Sequence, residues 1–249
     1  MANVSVSILG CDFTKIGEQV SEAEAAGADI IHIDVMDGVY VENLSFGPQM
    51  VRDLKKICRL PMSVHFELVR PETYFKMFYD AGADYITFQM DACWNPLHML
   101  NVIKKAGLKA GLGIGPAYSV EPLRYALPHI DGLILMSVEP GYGGQAFEDT
   151  VYDKVRRARK IMDETGIHVP ISIDGGVNEE RGRRLVSAGA DILIAGSYVF
   201  GADSITGAVQ ALKGLKRAPD GIWEKPLTKS VFVDYNDMVK NDDGDSKMF

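Results

Sequence analysis

Ala25-Ala26-Gly27-Ala28-Asp29, Ala81-Gly82-Ala83-Asp84 and Ala188-Gly189-Ala190-Asp191 repeat one phrase, and Ala106-Gly107-Leu108-Lys109 is a looser fourth copy. In each, a helix-forming run stops at a glycine, the residue that most readily takes the left-handed conformation closing a helix. A β-rich run follows within two residues. The phrase therefore marks a recurring helix-to-strand junction. Outward from these junctions, short apolar runs at Val4–Leu9, Ile30–Val35, Met62–Leu68, Tyr85–Met90, Ala110–Ile114, Gly132–Val138, Ile171–Asp174 and Ile192–Gly196 predict eight strands. Amphipathic stretches such as Ile16–Ala26, Val151–Glu164 and Glu179–Ala188 predict helices between them. Strands alternating with helices build a parallel sheet. The runs read as apolar on both faces, with no charged edge strand, which predicts an α/β fold closed into a (β/α)8 TIM barrel rather than an open sheet. An open dinucleotide-binding sheet would carry GxGxxG after its first strand, and Ser7-Ile8-Leu9-Gly10-Cys11-Asp12 is not one.

The chain has 249 residues, 47% hydrophobic and 24% charged, which suits one barrel domain over residues 1–215. From Lys216 the rhythm stops, and 216–249 reads as a C-terminal extension, part packed through Trp223, Phe232 and Tyr235 and disordered at its acidic end. A formal net charge of −8 argues against nucleic acid, whose phosphates demand a concentrated basic surface. The opening MANVSVSILG lacks a basic segment followed by a long apolar one, and no stretch is long enough to span a bilayer. A cytoplasmic protein is expected. Cys11, Cys58 and Cys93 are scattered and form no CxxC, so they read as idle reduced thiols.

Barrels place their chemistry at the C-terminal ends of the strands. The second strand runs Ile31-His32-Ile33-Asp34-Val35-Met36, and residues two apart share a face, so His32, Asp34 and Met36 point together. By the same parity His65 and Glu67 share a face of the third strand, and Asp174 ends the seventh. Each alone has an ordinary explanation, a hydrogen-bonded core histidine or a helix-capping aspartate. Together they would be four buried ionisable groups needing separate satisfaction, so a shared role is the simpler reading. Two nitrogen and two oxygen donors suit one divalent ion, Zn²⁺ first, with Mn²⁺, Fe²⁺ or Co²⁺ behind it. His98, His129 and His168 read as surface or loop residues.

Glycine-rich turns follow the last three strands: Pro140-Gly141-Tyr142-Gly143-Gly144-Gln145, Gly175-Gly176-Val177 and Ala195-Gly196-Ser197. Glycine lets backbone N–H groups approach an anion, and barrels often hold phosphate after strands seven and eight. A small phosphorylated substrate is expected.

Ser7-Ile8-Leu9 with Asp12-Phe13, His32-Ile33-Asp34-Val35-Met36-Asp37-Gly38, Asn43-Leu44, Gly47-Pro48, the Pro140–Gln145 turn, Asp174-Gly175-Gly176-Val177 and Gly196-Ser197 resemble ribulose-phosphate 3-epimerases, from about Val4 to Leu215. The resemblance implies a (β/α)8 barrel that interconverts D-ribulose 5-phosphate and D-xylulose 5-phosphate. It implies that His32, Asp34, His65 and Asp174 bind the metal, with Asp34 and Asp174 also the acid/base pair. It further implies that Ser7 and His65 touch the sugar, that Met36 and Met136 line the site, and that the turns carrying Gly141, Tyr142, Gly143, Gly144, Gly175, Gly176, Gly196 and Ser197 hold the phosphate. The chemistry agrees: the C3 hydrogen is acidic because the C2 carbonyl can take up its electron pair, and inversion needs a proton removed from one face and returned on the other. Expected partners are a small sugar phosphate and further copies of the chain in a homo-oligomer, with neither nucleic acid nor membrane.

Three positions depart from the family pattern. Glu67 stands where a methionine is usual, Gln89 replaces a common histidine of the fourth strand, and Glu42 stands where a proline usually precedes Asn43. Glu67 could bond a substrate hydroxyl, join the metal shell or turn to solvent. Alternative functions are a D-allulose 6-phosphate 3-epimerase and a sugar-phosphate-binding barrel without catalysis. A decarboxylating barrel would carry Asp-x-Lys-x-x-Asp, and Asp34-Val35-Met36-Asp37 has no lysine there.

Overall fold

The computed structural model describes residues 1–216. The expected extension lies outside the described residues from 217 onward. Eight parallel strands close in sequence order into a barrel: β1 (Asn3–Ser7), β2 (Ile30–Met36), β3 (Met62–Glu67), β4 (Tyr85–Gln89), β5 (Lys109–Ile114), β6 (Gly132–Met136), β7 (Ile171–Asp174) and β8 (Ile192–Ala195). Around it run α1 (Ile16–Ala25), α2 (Pro48–Ile57), α3 (Phe75–Ala81), α4 (Pro96–Lys105), α5 (Leu123–Ala126), α6 (Val151–Thr165), α7 (Glu179–Ala188), α8 (Ser197–Phe200) and α9 (Ile205–Lys213). The chain has the (β/α)8 fold. No helix among the described residues is long and apolar enough to cross a membrane.

The repeated phrase does two jobs. Gly27, Gly82, Gly107 and Gly189 all have positive φ, between 86° and 123°, as the helix-closing role requires. The aspartates that follow clip neighbouring strands together at the bottom of the barrel. Asp29 accepts from the Val4 N–H at 2.7 Å, Asp84 from Met62 at 2.7 Å and Asp191 from Ile171 at 2.8 Å. Asp131, outside the phrase, supplies the fourth clip by accepting from Ala110 at 3.0 Å. Strands are thus joined in the pairs β1/β2, β3/β4, β5/β6 and β7/β8. Asp29 also takes the Lys213 ammonium of α9 at 2.7 Å, tying the last helix to the barrel floor. Because Val4 is wholly buried, Asp29→Ala leaves its N–H without a partner, and urea unfolding is expected to show a loss of about 2 kcal/mol. Asp29→Asn, which keeps an acceptor oxygen, is expected to lose less.

Most strands are apolar on one face only, with β6 and β8 apolar on both, which corrects the expectation of two apolar faces throughout. Outward residues such as Val6, Ile31, Ile33, Val64, Phe66, Leu112 and Ile173 join the helices in one large core. Inside the barrel the apolar cluster is small, Ile134, Met136 and Ile194. The rest of the lining includes Ser5, Ser7, His32, Asp34, His65, Glu67, Thr87 and Gln89, all buried. Closure follows nonetheless, because a parallel sheet with helices on one face must cover its other face, and a barrel covers it with itself.

Two strands, β1 and β6, end two residues short of their apolar runs. The β1 run bends into a 3-10 turn at Ile8–Gly10. The β6 run leaves the sheet at Ser137, whose hydroxyl donates to the carbonyls of Asp174 at 2.8 Å and Gly175 at 2.5 Å. Cys58 and Cys93 are buried and burial pushes the Cys11 thiol up to about 12, in keeping with unreactive thiols. His98 and His168 are exposed and His129 pairs with Asn101 at 3.0 Å, all apart from the strand ends.

Candidate active site

Closure turns strand parity into convergence. His32 and Asp34 point inward from β2, His65 from the paired position on β3, and Asp174 from the end of β7. Their ligand atoms all lie within 4.8 Å of one another. His32 Nε2 is 3.0 Å from Asp34 Oδ1 and 3.3 Å from Asp174 Oδ2, while His65 Nδ1 is 3.2 Å and 3.5 Å from the same two atoms. Ser7, at the end of β1, donates to the other Asp34 oxygen at 2.7 Å.

The charges are balanced. Burial would depress His32, but Asp34 and Asp174 outweigh it and hold the imidazole up at about 10. Burial acts the same way on His65, and hydrogen bonds to Asp174 and Asp34 hold it at about 9. For Asp34 burial works upward, yet the two histidines hold the carboxyl well below its usual range. Asp174 is likewise lowered, by the histidines against burial and against the Asp34 charge. Two imidazolium groups thus face two carboxylates, and one divalent cation can replace the two protons with no change in net charge. The donor set fits such an ion.

Above this cluster, at the C-terminal mouth, a cavity is walled by Ser7, Asp34, Met36, Glu67, Met136 and Asp174 and roofed by Gly141, Tyr142, Gly143, Gly144, Gly175, Gly176, Gly196 and Ser197. His32 and His65 lie beneath it, wholly buried, and do not line it. Gly141, Gly144, Gly175 and Gly176 have positive φ, which lets these turns bend their amides over the opening. Asp37 braces the rim, accepting from the N–H groups of Val39, Tyr40 and Val69 at 2.9 Å each and so joining the loops after β2 and β3.

One contributor to the site escaped the sequence reading. A Cβ on Gly10 would stand 2.5 Å from the carbonyl carbon of Gly196 and 2.6 Å from the Ser197 nitrogen, so only glycine lets the β1 turn press backbone to backbone on the β8 turn. A glycine after a strand is visible in sequence; its partner across the barrel seam is not.

Residues 3–200 match the model of the ribulose-phosphate 3 epimerase family. The chain belongs to this family. The ribulose-phosphate 3-epimerase of Bacillus subtilis (strain 168) is 37% identical over 217 residues, 87% of this chain and all of that protein. The chloroplastic ribulose-5-phosphate-3-epimerase of Arabidopsis thaliana is 40% identical over 217 residues, 86% of this chain and 77% of that protein. Beyond the epimerase family, the crystal structure of KGPDC from Streptococcus mutans shares the fold with a TM-score of 0.65 at 15% identity, covering 86% of this chain and 96% of that one.

Proposed function

We propose that the chain is an isomerase that interconverts D-ribulose 5-phosphate and D-xylulose 5-phosphate by inverting C3, with Asp34 and Asp174 as the proton-transfer pair. One observation carries this reading: two buried carboxylates, from β2 and from the distant β7, meet at the floor of one cavity whose roof is three glycine turns. Family membership, and relatives bearing that activity in their names, support it.

His32, Asp34, His65 and Asp174 would hold the divalent ion, Zn²⁺ first by donor type and Mn²⁺, Fe²⁺ or Co²⁺ behind it. When bound it supplies positive charge for the oxygens that become anionic as C3 loses its proton, worth several kcal/mol. The chain's own groups do the rest. Backbone amides of the turns at Gly144, Gly176 and Gly196-Ser197 grip the phosphate. Asp34, steadied by the Ser7 hydroxyl, and Asp174, held at the β7 end, take and return the proton on opposite faces of C3. Met36 and Met136, both buried, keep bulk water from the planar intermediate.

Gln89 is a positioning residue in this reading. Its Nε2 lies 3.1 Å from His65 Nε2 while its Oε1 has no partner among the described residues. Turned over, the amide would accept from a protonated His65 Nε2 and leave the Nδ1 lone pair toward the carboxylates, the arrangement an ion needs. Gly113 opposite leaves the room, since a Cβ there would stand 3.0 Å from Gln89 Oε1. Gln89→Leu is expected to weaken divalent-ion affinity about 10–100-fold, measured by competition with a chromogenic chelator.

The same reading makes the enzyme a cytoplasmic homo-oligomer, and light scattering tests the assembly. The reaction is tested by presenting ketose 5- and 6-phosphates to the metal-loaded protein in deuterated water. Label entering C3 of ribulose 5-phosphate is expected. Faster turnover of a hexulose phosphate would overturn the pentulose assignment, and binding without exchange would overturn catalysis.

A further inference from the structure

The cavity contains an ionisable group that neither the ion-binding cluster nor the proton-transfer pair uses. Glu67 ends β3, is 2% exposed and forms part of the cavity wall. Its Oε2 has no hydrogen-bond partner among the described residues, and its Oε1 stands 3.8 Å from His65 Nδ1, beyond hydrogen-bonding range. It does not turn to solvent, and it lies outside the four-residue ligand cluster. A buried carboxylate oxygen left unpaired is costly, so the position calls for a donor brought by the ligand.

No donor among the described residues competes. Met36, level with Glu67 on β2, has none, and the Gln89 amide is engaged with His65. Position then says which part of the ligand arrives. In a closed ring of eight strands, β3 lies across from β7, whose Gly175-Gly176 turn belongs to the phosphate roof. With the phosphate under that roof and C3 between Asp34 and Asp174, the chain of a 2-ketose continues through C2, and its C1 hydroxymethyl ends on the β3 side.

We infer that Glu67 is the specificity-determining residue for the C1 hydroxyl, accepting its hydrogen bond at Oε2; this rests on the epimerase reading above. A substrate without that hydroxyl leaves Oε2 buried and unpaired, and sites built around a substrate hydroxyl reject the analogue lacking it steeply.

The test compares D-xylulose 5-phosphate with 1-deoxy-D-xylulose 5-phosphate, following C3 deuterium wash-in by full-length, metal-loaded wild type, Glu67→Gln and Glu67→Met. Wild type is expected to favour the hydroxylated substrate in kcat/KM by about 10³-fold or more. Glu67→Met is expected to lose on that substrate, hold or gain on the deoxy analogue, and bring the ratio to within about tenfold, with Glu67→Gln between. A ratio unchanged in both variants overturns the inference while leaving the epimerase intact. Loss of bound metal from Glu67→Met overturns it too, by assigning the residue to the ion. Exchange from neither substrate in the wild type overturns the epimerase reading, and the inference with it.

Discussion

Asp174→Asn, assayed at saturating divalent ion, is expected to slow interconversion of the two pentulose phosphates by about 10²–10⁴-fold while one epimer still exchanges its C3 hydrogen with solvent. The asymmetry follows from the geometry. Asp34 and Asp174 come from strands five steps apart in one direction around the ring and three in the other, so each can serve one face of C3. Asparagine keeps the shape and a hydrogen-bonding oxygen but cannot take the proton. The epimer whose hydrogen faces Asp34 is still deprotonated, yet the proton can only return on the side it left. Proton NMR in deuterated water, run separately from each epimer, reads this directly. Equal exchange from both epimers would show that a single group works both faces and would end the two-carboxylate assignment.

Stripping divalent ions is expected to lower turnover by about 10³-fold or more, since several kcal/mol of charge stabilisation is lost and each step of about 1.36 kcal/mol is a factor of ten. Activity should return on adding the ion. Reloading carries a second signature. In the ion-free protein His32 is held up at about 10 and His65 at about 9, so both are protonated at neutral pH. Ligation needs both imidazoles neutral, and uptake near pH 7 is therefore expected to release about two protons per ion. The release should fade as pH rises through 9 and 10, because above those values the protons have already gone. Calorimetry in buffers of different ionisation enthalpy measures the number. Reloading without proton release would remove the histidines from the ligand set.

These expectations draw unequally on sequence and on structure. The strand count is readable because each junction is local: a glycine closes a helix, and the next few residues are β-rich. The aspartate at the end of the phrase is readable as a residue but not as a clip, since its partner is an N–H of the neighbouring strand, 25 residues away for Asp29 and Val4. The apolar runs overshoot the strand ends at Leu9 and Val138 for the same reason. The forces that bend the chain there come from Gly196 and from the β7 carbonyls, which leave no mark on the local pattern. Small neutral residues such as Ser5, Thr87 and Gly111 do not stand out against their apolar neighbours, so the inner face reads as greasier than it is.

The site divides along the same line. That His32, Asp34 and Met36 share a face, that His65 and Glu67 share another, and that glycine turns follow the last three strands are consequences of a two-residue period and of chain order, and the sequence determined them unaided. Which face is the inside, that four ligand atoms fall within 4.8 Å, and that Glu67 presents an unpaired oxygen to the cavity were decided by the tertiary structure. The physical reason is that distances across a barrel depend on how many strands close it and in what register they pair, and neither quantity is written in any short stretch of the chain.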